Sequence, residues 1–223
     1  MGFSMEWDEC YAVNSHMSIW PWSDLVSYVM RYARPDGPDY RVLELGCGMG
    51  ANIPFFTHLN VDYHALDGSP TAVSLLHKRY PALARNIQVA DFTKNIPIEG
   101  SFDLVVDRAS LTHNNSEAIR RTIGMIYNIL KPGGKFIGID WFSTEHSDYK
   151  LGEQAEDPYT RRKIVEGQFA GTGRVHFSDK QHLLDLFTKF NIESLEHKMI
   201  RKEIPQQNHL LAHWNIAVKK AYE

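Results

Sequence analysis

The chain has 223 residues, enough for one domain with a substantial core. Its formal net charge of −3 and scattered Lys and Arg weigh against the basic face of a nucleic-acid binder, and two cysteines, Cys10 and Cys47, cannot build a disulfide framework. Residues 1–8 carry neither the basic nor the apolar run of a secretory leader, and no stretch has the length of a membrane span. The expectation is a cytoplasmic protein, monomer or homodimer, with neither nucleic acid nor membrane as partner.

Residues 1–40 precede the first strand and form a helical cap. Within them Ser23–Tyr32 has apolar residues at helical spacing, with Ser23 as N-cap, and Arg34, Pro35, Asp36, Gly37 and Pro38 stop the helix. The first strand, Arg41–Leu45, runs into a loop with Gly46, Gly48 and Gly50 at alternate positions, and a helix should start near Gly50. A second strand, 61–66, ends in Asp67-Gly68-Ser69-Pro70 and leads to a helix from Ser69 to about Tyr80. The third strand, 87–90, ends in Asp91-Phe92, and residues 93–101 read as loop. A fourth strand, 102–106, ends in Asp107-Arg108-Ala109. A helix over 116–130 closes at Lys131-Pro132-Gly133-Gly134 and turns into the fifth strand. Residues 143–177 are irregular, an insert on the substrate side of one domain spanning 1–223. A capped amphipathic helix over 178–187 and an alternating strand over 190–198 resume the core.

Strand–turn–helix units in this order brings ligands to the carboxyl ends of the strands. The glycines let main chain lie against a nucleoside. Gly46, Gly48 and Ala51 alone also satisfy the relaxed dinucleotide fingerprint, so the loop leaves two cofactor classes open. An acid about 20 residues on, Asp67, suits ribose hydroxyls in either class. Asp91 with Phe92 offers an acceptor for an exocyclic amine and an apolar face for an adenine ring.

The E-L-G-C-G-M-G loop, Asp67, the Asp91-Phe92 pair, the F-D-L-V-V-D strand and the L-K-P-G-G turn together resemble the class I S-adenosylmethionine-dependent methyltransferases, specifically small bacterial enzymes that act on small molecules. The resemblance implies a doubly wound, Rossmann-like α/β fold with seven strands, the last one antiparallel over 209–219. It implies S-adenosyl-L-methionine as cofactor. Glu44 and the main chain of Gly46 and Gly48 would hold its amino-acid end, with Cys47 a small residue in the loop. Asn52 either reaches the carboxylate end or sits on a helix surface. Asp67 would take the ribose, Gly68 and Ser69 allowing close approach, and Asp91 and Phe92 the adenine. Asp107, Arg108 and Ala109 would lie where sulfonium and acceptor meet, although Asp107 also reads as a partner of Arg108 or a turn cap. The alternatives are a nicotinamide-dependent oxidoreductase using the same loop and a non-catalytic binder of the same cofactor.

A sulfonium is an activated donor, so alignment supplies most of the acceleration and a base serves only a protonated nucleophile. His113, Asp107 and Asp140 are the candidate catalytic groups. No pair of acids with metal-ligand spacing stands out, so no metal is expected. The acceptor should be read by the aromatic N-terminus (Trp7, Tyr11, Met17, Trp20, Trp22) and by the insert (His146, Tyr149, Tyr159, Arg161, Arg162, Phe169, Arg174, His176). Gly167, Gly171 and Gly173 suggest a mobile lid. A small polar methyl acceptor follows, such as a sugar or sugar-nucleotide precursor.

Overall fold

The computed structural model describes residues 5–13 and 17–222. In chain order the elements are α1 (Met5–Ala12), α2 (Ser23–Tyr32), β1 (Arg41–Leu45), α3 (Ile53–His58), β2 (Asp62–Asp67), α4 (Pro70–Arg79), β3 (Ile87–Val89) and β4 (Phe102–Arg108). They continue with α5 (Ser116–Ile129), β5 (Leu130–Phe142), β6 (Glu153–Gln154), β7 (Thr160–Arg162), β8 (Val175–His176), α6 (Lys180–Leu186), β9 (Asn191–Glu203) and β10 (Gln206–Lys219). The main sheet has seven strands in the order β3-β2-β1-β4-β5-β10-β9. β10 runs antiparallel to both neighbours, and the pairings among β1 to β5 are parallel. The expected doubly wound α/β sheet with its antiparallel strand is therefore present.

The central strands are apolar along their length because helices cover both faces. Val42, Leu104, Val106, Ile137 and Ile139 pack with Leu25 and Val29 of α2 and Val73 and Leu76 of α4. Leu43, Leu45, Val105 and Phe136 pack on the opposite face with Ile119 and Ile123 of α5 and Leu183 of α6. The order of β3-β2-β1 against β4-β5 reverses beside β1, which opens a crevice at its carboxyl end.

Several local expectations need correction. The helix after the glycine loop begins at Ile53, because residues 49–52 are taken up by turns closed by Gly50 N–H on the Cys47 carbonyl (2.8 Å) and Ile53 N–H on the Gly50 carbonyl (3.2 Å). Ser23 is the first helical residue of α2, and Trp22 occupies the cap without a side-chain bond. β9 and β10 run on to Glu203 and back from Gln206, well beyond the predicted 190–198 and 209–219. The extra residues are mostly solvent-exposed, so no inward-outward alternation marks them in sequence.

The segment 143–177 is not featureless. β6, β7 and β8 pair as a small antiparallel sheet over a core of Phe142, Ile164, Phe169, Val175 and Phe177. Gly167 and Gly171 adopt left-handed turns (φ +84° and +74°), and a Cβ on Gly167 would lie 2.6 Å from both carboxylate oxygens of Asp148. These glycines serve turn geometry and close packing. No helix among the described residues is long and apolar enough to cross a membrane.

Candidate active site

The site starts at the end of β1. Glu44 is buried at 3% exposure, accepting Asn52 Nδ2–H at Oε1 (2.8 Å) and Tyr63 O–H at Oε2 (2.6 Å). Burial raises its carboxyl to about 7, partly offset by those two donors. Asn52 is itself 2% exposed, and its Oδ1 has no hydrogen-bond partner among the described residues. An orphaned buried acceptor on a cavity wall marks a place where a ligand donor belongs.

Gly46 and Gly48 carry left-handed φ values of +67° and +50°. A Cβ on Gly46 would fall 2.2 Å from Ser110 Cβ, and one on Gly48 2.7 Å from the Tyr11 hydroxyl, so α1 and the loop after β4 both close onto glycine main chain. Asp67, at the end of β2, clamps the loop. One of its oxygens accepts Gly48 N–H and the other Ser69 N–H, both at 2.8 Å. Burial pushes its carboxyl up to about 6. Ser69 turns away from the cavity to cap α4, accepting Ala72 N–H (3.0 Å) and donating to Asp8 of α1. Asp91 accepts Thr93 N–H and O–H and pairs with Lys94 at 3.0 Å, beside the buried ring of Phe92. Cys47 is buried and its thiol is pushed well above the ordinary value, which keeps it protonated and unreactive.

Asp107 follows the turn-cap reading and not the one that places it where sulfonium and acceptor meet. It is fully buried and does not face the cavity: it accepts Trp141 Nε1–H (2.7 Å), Leu111 N–H (3.0 Å) and the Ser110 hydroxyl. Alternation along β4 sends its side chain to the sheet face covered by α5 and α6, and Arg108, Ala109 and Ser110 reach the rim. Arg108 stacks on Trp22, its guanidinium carbon 3.5 Å from the ring centre, and pairs with Asp140 at 2.9 Å. Asp140 takes φ +58°, held there by its N–H on Asn215 Oδ1 (3.0 Å), and its other oxygen lies 3.3 Å from His213 Nε2. A non-glycine residue in this conformation stores strain, and such positions cluster at functional sites.

His113 follows in a short turn. Its Nδ1 lies 2.9 Å from the Arg174 carbonyl, which can only accept, so Nδ1 carries the proton. The ring sits edge-on to Trp7 and Phe142, at centroid distances of 4.7 and 5.8 Å.

These groups surround one cavity of about 750 Å³, within the range of small-molecule and cofactor sites. Glu44, Gly46, Cys47, Gly48, Asn52 and Asp67 line one part, with Gly68, Asp91 and Phe92 beside them. Arg108, Ala109, His113, Asp140 and Phe142 line the other. Of the aromatic N-terminus, Trp7, Tyr11, Met17 and Trp22 reach the wall, whereas Trp20 is 70% exposed. Of the insert, His146 and Phe169 do so. Arg174 is committed to Glu156, and His176 is buried against His182. Sequence reasoning missed Asp24, Lys198 and His213, which complete the wall. Asp24 accepts from Lys198 and from Asn215 (3.0 Å), tying α2 to β9 and β10. Nothing in the local sequence marks these residues, because only strand pairing brings 198 and 213 beside 140.

A family model described as a methyltransferase domain matches residues 42–134. The tRNA N(3)-cytidine methyltransferase METTL2B of Homo sapiens is 26% identical over 176 residues, which cover 73% of this chain and 44% of that protein. O-methyltransferase 3 of Dictyostelium discoideum is 24% identical over 80% of this chain and 42% of its own length. The chain thus spans less than half the length of these curated relatives. Among solved structures, a SAM-dependent methyltransferase from Methanosarcina mazei superposes with TM-score 0.69 at 17% identity, covering 92% of this chain and all of that one. Geranyl diphosphate C-methyltransferase of Streptomyces coelicolor, solved with S-adenosyl-L-homocysteine, gives TM-score 0.63 at 11% identity over 89% and 76%. Glycine main chain, strand-end acids and an orphaned acceptor at Asn52 suit a nucleoside that carries an ammonium, in keeping with the methyltransferase domain that residues 42–134 match.

Proposed function

We propose that the chain transfers the methyl group of S-adenosyl-L-methionine to a small polar acceptor held at the far end of this cavity. The carrying observation is continuity: one cavity runs from Glu44 and Gly48 to His113, Phe142 and His213. In this reading the helical cap (1–40) and the insert (143–177) are the acceptor-side additions to a single domain.

Glu44 and Asn52 Oδ1 take the donor's ammonium, and the main chain of Gly46 and Gly48 lies along its amino-acid end. Asp67 has lone pairs beyond those used by Gly48 and Ser69, and takes the ribose hydroxyls. Asp91 and Phe92 take the adenine. Bound in this way the donor supplies a sulfonium methyl, and the protein's task is to align a nucleophile with it. Arg108 and Ala109 shape the rim there, and Asp107 holds the turn that presents them. With Nδ1 protonated, His113 Nε2 is the basic nitrogen, suited to take the proton of an acceptor hydroxyl or amine. Asp140 is a positioning group, since both of its oxygens are committed to Arg108 and His213.

The curated relatives that act on cytidine in tRNA favour a second reading, a nucleoside of an RNA as acceptor. Its support is an aromatic and histidine wall able to stack a base; the net charge of −3 weighs against it. Radiolabelled methyl transfer to a metabolite extract and to total tRNA separates the two. Label in the small-molecule fraction supports the first reading, and label confined to tRNA replaces it. No transfer to either, with S-adenosyl-L-homocysteine still bound, would reduce the chain to a cofactor binder.

A further inference from the structure

The insert and the β9–β10 hairpin bring together three residues far apart in sequence. His146 and Asp148 lie in the turn after β5, and His209 lies at the start of β10. One ring nitrogen of each histidine and one Asp148 oxygen lie within 4.8 Å of one another. Asp148 Oδ1 is 2.7 Å from His209 Nε2 and 3.9 Å from His146 Nδ1. Three atoms so spaced share a point within about 2.8 Å of each, so at most about 0.7 Å of movement per atom separates them from metal–ligand bonding.

Charge sharpens the case. Asp148 is wholly buried beside the phenylalanine core of the insert, and its other oxygen accepts Phe169 N–H at 3.1 Å. Among the described residues no lysine or arginine pairs with it; its only ionisable partners are the two imidazoles. A buried carboxylate is costly without a cation beside it. His146 and Gln168 line the cavity described above, so the cluster borders the acceptor end.

We propose that His146, Asp148 and His209 form a binding site for one divalent transition-metal ion, with its remaining positions open toward the cavity. Two imidazoles and one carboxylate select the zinc, cobalt, iron and manganese class over magnesium or calcium, whose sites are built from oxygen. Binding requires the His209 tautomer with its proton on Nδ1, which frees Nε2 as a ligand in place of its bond to Asp148, and turns His146 Nδ1 from the Asp148 N–H, which it accepts at 3.0 Å. The site does not depend on the methyltransferase reading, because no donor enters it.

The test is a cobalt titration of tag-free, chelator-treated protein, followed by ligand-field absorption and metal analysis after dialysis. One cobalt per chain is expected, displaced by zinc, with affinity weakened about tenfold or more in His209→Ala and Asp148→Asn. His58→Ala, an exposed histidine remote from the cluster, should bind as the parent does. Melting curves identify a variant that fails to fold; should Asp148→Asn fail, the partly exposed His209 decides alone. Absence of stoichiometric cobalt in the folded parent, or undiminished binding in folded His209→Ala, overturns the site. S-adenosyl-L-homocysteine binding, measured separately, shows whether the cofactor reading stands or falls by itself.

Discussion

Asp67→Asn tests the cofactor site most directly, because the carboxylate has two duties that the substitution separates. It clamps the loop through Gly48 N–H and Ser69 N–H, and in the proposed site it receives ribose hydroxyls. Asparagine keeps one carbonyl oxygen and sets an NH2 against the second N–H. One buried donor is then unmet, at a cost of about 1–3 kcal/mol in stability. Alanine leaves both donors unmet and is expected to cost roughly twice as much. For binding, each hydroxyl bond to the ionised carboxylate contributes about 1.5–3 kcal/mol. Loss of one weakens S-adenosyl-L-homocysteine affinity by roughly 10- to 150-fold, at about 1.4 kcal/mol per decade. Calorimetric titration near pH 8, where the group is ionised in the parent, measures the affinity. Denaturant unfolding of the same samples gives the stability. A folded variant whose affinity stays within about threefold of the parent would remove Asp67 from the ribose site.

Gly46→Ala should bind cofactor poorly and lose at least about 1 kcal/mol in an unfolding titration, since alanine meets Ser110 and is strained at φ +67°. Glu44 has its pKa raised to about 7, so donor affinity should rise as pH passes upward through 7 and an anion forms for the ammonium; Glu44→Gln should flatten that profile in a binding titration. Buried His176, against His182, has its pKa lowered to about 3 from an ordinary 6.5. The unfolded chain takes up the proton first, so the contribution of a neutral His176 should be intact above pH 6.5. That contribution should then fall by up to about 1.4 kcal/mol per pH unit toward pH 3, read as the difference in unfolding free energy between the parent and His176→Asn, in which the opposing titration of buried Glu44 and Asp67 cancels; a difference that stays constant down to pH 4 would refute it. Once an acceptor is in hand, His113→Gln should lower kcat far more than it raises KM, and equal effects on both would make His113 a binding group instead.

The sequence by itself determined the βα order, the glycine loop and the acids at the ends of β2 and β3. These are local signals: apolar runs bounded by turn residues, and glycines where the backbone must be left-handed. It also supplied most of the cavity wall at the glycine-loop end, because in a parallel sheet consecutive strands place their ends side by side. It failed at Ser69 and left Asp107 between the rim and a turn cap, of which the structure takes the cap; chain position gave the right neighbourhood and not the direction. Alternation and capping turned those side chains inward, onto Trp141 and onto α4. The end proposed for the acceptor was legible only as a surplus of aromatics and histidines. Which of them face the cavity, and that Asp24, Lys198 and His213 join them, was decided by β10 entering antiparallel beside β5 and carrying β9 with it. The meeting of His146 and Asp148 with His209 has the same origin: more than 60 residues of chain separate them, and only the register of the final hairpin brings them together.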